Sequence, residues 1–162
     1  MISSSDEYGL AHADFMYIQE VFQLRITFDA MASFKNRRAE QFVSVIPQPE
    51  CTDVNIFNYT LKAGEVYYIH PPCKLIQRVL NKILLYPNIK VILVIPAWVS
   101  KPWFTCLLQQ GHFKSFVKSY LLFNPMYVSF ARNSMFSGKK VFNTLVLYIN
   151  TAESHSIPCP LF

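Results

Sequence analysis

The chain has 162 residues, of which 52% are hydrophobic, 15% aromatic and only 15% charged. Such a composition can bury enough apolar surface to offset chain entropy, which excludes a disordered tail, a long linker or a coiled coil, and the length suits one domain with a sizeable core. The net charge of +5 permits attraction to nucleic acid or an acidic surface without requiring it, and the four scattered glycines, Gly9, Gly64, Gly111 and Gly138, exclude a Gly-rich phosphate loop or a GxGxxG turn.

At the start, Ser3-Ser4-Ser5-Asp6 reads as a leader or helix cap and is too polar for a secretory signal. From Ala11 to Leu24, Phe15, Ile18, Val21 and Phe22 recur at helical spacing, which predicts an amphipathic helix. Arg25-Ile26-Thr27-Phe28 reads as a short β run ending at Asp29. Residues 30–42 lack periodicity and read as a loop or short helix. Their Lys35, Arg37 and Arg38 read as a solvated surface ahead of a phosphate site. Phe42 to Val45 is a strand candidate closed by Pro47 and Pro49, and Val54 to Phe57 is a weaker one. Val66 to Ile69 is a clearer strand, stopped by His70-Pro71-Pro72.

Leu75, Ile76, Val79, Leu80, Ile83 and Leu84 then mark a helix that Pro87-Asn88 ends. Lys90 to Ile95 is a continuous β-branched and aliphatic run, the pattern of a strand buried on both faces. Pro96 to Pro102 reads as a loop, Trp103 to Leu108 as a short helix before Gly111, and Phe116 to Phe123 as a strand or a helix. Met126 to Ala131 and Val141 to Ile149 are two β runs, and Ser137-Gly138 between them predicts a hairpin turn, followed by Lys139-Lys140. Thr151 to Phe162 reads as a tail.

Strands alternating with helices predict an α/β fold: a mostly parallel sheet with helices on both faces and a C-terminal antiparallel hairpin at one edge. A single domain spanning residues 1–162 is expected, with a helical lead-in over 1–24 and a tail over 151–162. Cys51, Cys73, Cys106 and Cys159 form no C-x-x-C pair, and no His is spaced with them for zinc. Free thiols, no metal site and an intracellular location, cytoplasmic or nuclear, are therefore expected. The longest apolar run, Val91 to Val99, contains Pro96 and falls short of the roughly 20 residues that a membrane helix needs, so no membrane partner is expected.

In an open parallel sheet, ligands bind beyond the carboxyl ends of the strands. Three segments fall there: Asp29; His70-Pro71-Pro72-Cys73; and Pro96-Ala97-Trp98. They are expected to line one crevice. Asp29 could hold a hydroxyl or ammonium group, or simply form a turn. The Pro-Pro pair fixes the carbonyl before it and the side chain after it. His70 is a general base by type, but no acid lies near it in sequence. Trp98 and Trp103 read as core or lid packing before base-stacking groups.

Several of these segments carry a resemblance. Phe28-Asp29-Ala30-Met31-Ala32-Ser33-Phe34-Lys35-Asn36 resembles D-x-F-A-S-x-x-N, and Val54-Asn55-Ile56-Phe57 resembles V-D-A-F. The stretch from Tyr68 through His70-Pro71-Pro72-Cys73 to Leu80 resembles y-x-F-P-P-F-x-L-I-x-R-V-L. Leu93 to Trp98, with Pro102-Trp103-Phe104, resembles L-L-V-A-P-x-W-x-x-Q-P-W-F, and Asp6 to Leu10 with Phe15 resembles an E-W-x-L…F lead-in. Together they are similar to the region that follows ribonuclease H in DIRS- and Ngaro-type tyrosine-recombinase retroelement polyproteins, which in turn resembles the phage-type DNA N6-adenine methyltransferases.

The resemblance implies a Rossmann-like class I methyltransferase fold using S-adenosylmethionine. Asp29, Asn36 and Asn55 would fall at cofactor-binding positions and His70-Pro71-Pro72-Cys73 at the catalytic loop. In that family an Asn or Asp before Pro-Pro accepts the adenine amino group, and an aromatic after it stacks on the flipped base. His70 and Cys73 depart from both, and Asn55 departs from the second acid. The departures imply a degenerate, non-catalytic and architectural domain whose cofactor is lost, packing against reverse transcriptase and ribonuclease H domains or their nucleic acid. An active DNA N6-adenine methyltransferase and an unrelated α/β binding module are the alternatives.

Overall fold

Val66–Ile69 and Lys90–Pro96 consist almost wholly of β-branched, aromatic and aliphatic residues, and past Lys90 every one of them is buried. Side chains alternate across a strand, so such segments need a covering layer on each side of the sheet. The computed structural model of the chain, which describes residues 9–10, 12–31, 41–44, 53–54, 56–123, 128–129 and 143–151, supplies both layers.

The strands of the main sheet are β2 (Phe28–Asp29), β3 (Gln41–Ser44), β4 (Asp53–Val54), β5 (Val66–Ile69), β6 (Lys90–Pro96), β9 (Val117–Phe123) and β11 (Thr144–Asn150). Among the described residues they form a seven-stranded sheet of order β4-β3-β2-β5-β6-β11-β9. The first five are mutually parallel, and β11 runs antiparallel to both β6 and β9. Chain order therefore reverses between β2 and β5. The helices are α1 (His12–Phe22), α2 (Ile76–Leu84), entered through a 3-10 turn at Cys73–Leu75, and the short α3 (Pro102–Thr105).

Alternation sorts the core into two layers. Tyr67, Ile69, Val91, Leu93, Ile95, Leu145 and Leu147 pack with Ile76, Val79, Leu80 and Ile83 of α2. Tyr68, Ile92, Val94 and Val146 pack on the other face with Phe15, Ile18 and Phe22 of α1. The expected α/β class with helices on both faces is thus observed. Val21 lies off the α1 stripe and is 41% exposed.

Antiparallel strands close one edge of the sheet as expected, but the pairing of the two C-terminal β runs with each other is corrected. β11 takes β9 and β6 as neighbours, while β10 (Val128–Ser129) pairs with β1 (Gly9–Leu10) in a separate ribbon. The physical reason is burial. β11 is apolar on both faces and finds a seven-residue partner on either side. Phe116 to Phe123, open between strand and helix, contains strand β9, with one exposed side. The Ser137-Gly138 turn lies outside the described residues.

Two further segments differ from expectation. Helix α3 ends at Thr105, and a hairpin of β7 (Leu108–Gln109) and β8 (His112–Phe113) follows. Its central residues Gln110 (φ 52) and Gly111 (φ 80) both take positive φ, as a type I′ turn requires. Val54 to Phe57 divides into β4 and a 3-10 turn at Ile56–Asn58. Thr151, placed in the tail, is buried. No helix among the described residues is long and apolar enough to cross a membrane.

Candidate functional site

Because β2, β5 and β6 are adjacent and parallel, their carboxyl ends emerge on one edge. Asp29 stands beside Tyr68, and Ile69 beside Leu93. The Thr27 N–H donates to the Val66 carbonyl at 3.0 Å and the Ala30 N–H to the Tyr68 carbonyl at 2.9 Å, so the two-residue strand β2 is pinned at both ends. Asp29 and the loop from His70 therefore leave the sheet at nearly one level. β6 runs three residues past Leu93 to Pro96, which carries Ala97 and Trp98 about 10 Å further out.

Asp29 is 3% exposed and sits across the sheet plane from Phe28 and Ala30, on the α1 side with Tyr68. In the next loop, His70 is half-buried, Pro71 buried and Pro72 exposed. Pro72 is extended (φ −57, ψ 146), and its carbonyl accepts the Leu75 N–H at 2.9 Å. Cys73 opens the 3-10 turn, and its side chain packs against the α2-side core. The Pro-Pro segment thus works as the entry to α2. Trp98 is half-buried against the same core, with the Lys101 ammonium 5.6 Å from its ring. Trp103 is buried outright.

Asn36 and Asn55 lie outside the described residues, as do Cys51 and Cys159. Cys73 is half-buried and Cys106 buried, and no disulfide joins the two. Among the described residues no group of His, Cys, Asp and Glu could hold a metal ion. Asp53, near Asn55 in sequence, opens β4 beside Val43, one residue past the level of Asp29 in the parallel sheet.

A second feature lies on the flank of α2. Phe57, Arg78, Asn81, Lys82, Leu85 and Tyr86 line a shallow open groove of about 410 Å³. The Arg78 guanidinium carbon is 3.9 Å from the Phe57 ring centre. The Lys82 Nζ lies 5.0 Å from the Tyr86 ring and donates to its hydroxyl at 3.2 Å. Runs of neighbouring cations point to residues 35–38 instead. The signal for this groove is a four-residue spacing, Lys74, Arg78 and Lys82, which converges only on a helix.

No protein-family model matches the chain, and no curated protein matches it.

Proposed function

We propose that the chain is a degenerate methyltransferase-like domain of the retroelement-polyprotein type, without catalysis, that serves as an architectural module beside nucleic acid or beside reverse transcriptase and ribonuclease H domains. The strand order supports the Rossmann-like half of this reading. Counted along the chain from β2, the main sheet runs 3-2-1-4-5-7-6. That is the doubly wound order 3-2-1-4-5-6 with the last strand inserted antiparallel before the sixth.

Cys73 carries the non-catalytic half. It occupies the place after Pro-Pro where the family sets a stacking aromatic, and it packs, half-buried, against the core at the start of a 3-10 turn. Asn55, standing in the place of the family's second acid, points the same way.

The test is calorimetric titration with S-adenosylmethionine, together with radiolabelled methyl transfer to duplex DNA. We expect no saturable heat and no incorporated label. Transfer at an ordinary enzymatic rate would overturn the reading and give His70 the role of the family Asn.

A further inference from the structure

Helix α2 carries Arg78 and Lys82 but no acidic residue, and Lys74 stands four residues before Arg78. A solvated helix face ordinarily mixes both signs, because like charges four residues apart repel. Lys74 adds a second penalty: it sits at the amino end of α2, where the helix dipole disfavours a cation. Two unfavourable electrostatic terms on one face, uncompensated within the helix, are what an anionic ligand would neutralise. The aromatic groups narrow the class of anion. Phe57 and Tyr86 flank the two cations, and a guanidinium stacked on one ring keeps a second planar face for a base. A groove that alternates cations with π-faces suits a strand whose bases are unpaired and can stack.

We propose that the flank of α2, with Arg78 and Lys82 on phosphodiesters and the Arg78 plane and Tyr86 ring as stacking platforms, binds single-stranded nucleic acid. The proposal deepens the nucleic-acid half of the function above and rests on that half alone. Its residues are not those of the loops that follow Asp29, Ile69 and Pro96.

The experiment is fluorescence anisotropy of the full chain with labelled oligothymidylate, oligouridylate and a duplex of equal length, over a series of salt concentrations. We expect the single strands to bind more tightly than the duplex, and the ratio of the two single strands to assign DNA or RNA. Arg78→Gln with Lys82→Gln should weaken binding about tenfold or more and reduce the log–log salt slope by about 1.4, roughly 0.7 for each cation lost. Tyr86→Leu should weaken binding several-fold at an unchanged slope, and Lys118→Gln, on β9, should change neither. Arg78→Lys keeps the charge and removes the plane, so it should keep the slope while losing affinity. Three results would overturn the proposal: no single-strand binding at low salt, a preference for duplex, or a folded double variant that binds as the parent does. If the chain transfers methyl groups to duplex DNA but still binds single strands through Arg78 and Lys82, the non-catalytic reading fails and this surface stands.

Discussion

Thr144 and Thr151 bracket β11 and are equally buried, each 2% exposed, but their hydroxyls meet opposite surroundings. The Thr151 Oγ1 donates to the Tyr86 carbonyl at 2.7 Å and accepts the Ile89 N–H at 2.9 Å, which ties the turn after α2 to the end of the sheet. The Thr144 Oγ1 has no hydrogen-bond partner among the described residues. Valine copies the shape of threonine without the hydroxyl, so one substitution separates the two cases. Thr151→Val should lower the unfolding free energy by about 2–3 kcal/mol, because it strands a buried N–H and a carbonyl. Thr144→Val should raise it by about 1 kcal/mol. Denaturant midpoints at unchanged m-value check both. Tyr67 adds a pH dependence. Burial holds its phenol well above the ordinary value of 10.0. The unfolded chain therefore ionises this group first. Its contribution is complete below about pH 10 and is lost as the pH rises above that, at up to about 1.4 kcal/mol per pH unit. Tyr67→Phe should remove that share of the alkaline slope, at a modest cost for the Lys62 N–H that its hydroxyl now accepts at 2.8 Å.

Helix α1 ends in a motif that its sequence does not announce. The Leu24 N–H donates to the Gln19 carbonyl at 3.0 Å and the Gln23 N–H to the Glu20 carbonyl at 3.2 Å, the paired bonds of a Schellman ending. Gln23 takes φ 55 there, a position that favours glycine. The left-handed penalty of about 1–2 kcal/mol outweighs the extra backbone entropy of glycine, about 0.5–1 kcal/mol. Gln23→Gly should therefore stabilise the protein by about 0.5–1 kcal/mol, read as a higher melting temperature. The Gln19 Oε1 also accepts the Ile26 N–H at 2.8 Å, so the same helix end sets the entry into β2. Elements with one dominant period, α2 and β5, were legible from residue pattern, and so was β6. The Gln110-Gly111 hairpin was not, because Gln is a weak signal where Asn or Asp is the strong one. β9 was ambiguous because an exposed edge strand shows too few buried positions to fix its period.

At the scale of the molecule, β6 is the strand on which everything rests. It lies between β5 and β11, and residues 91–96 are buried on both faces. Val94 is fully buried in the α1-side core. Val94→Asp would place an unpaired charge there and should cost several kcal/mol. A loss below roughly 1 kcal/mol in a denaturant titration would remove β6 from the centre of the fold.

The sequence by itself determined the α/β class, the buried central strand and the order of the segments, because hydrophobic periodicity is a local property that neighbouring residues express together. It also marked Asp29 and His70-Pro71-Pro72-Cys73 as strand-end residues, since each follows an apolar run. Only the tertiary structure decided which strands pair. The two β runs near the C-terminus look like partners in sequence, but β11 gains more burial between β6 and β9. Only the fold, too, set Cys73 against the core and brought Phe57, from a turn after β4, against Arg78 of α2. Both depend on contacts between residues far apart in the chain, and no local pattern records them.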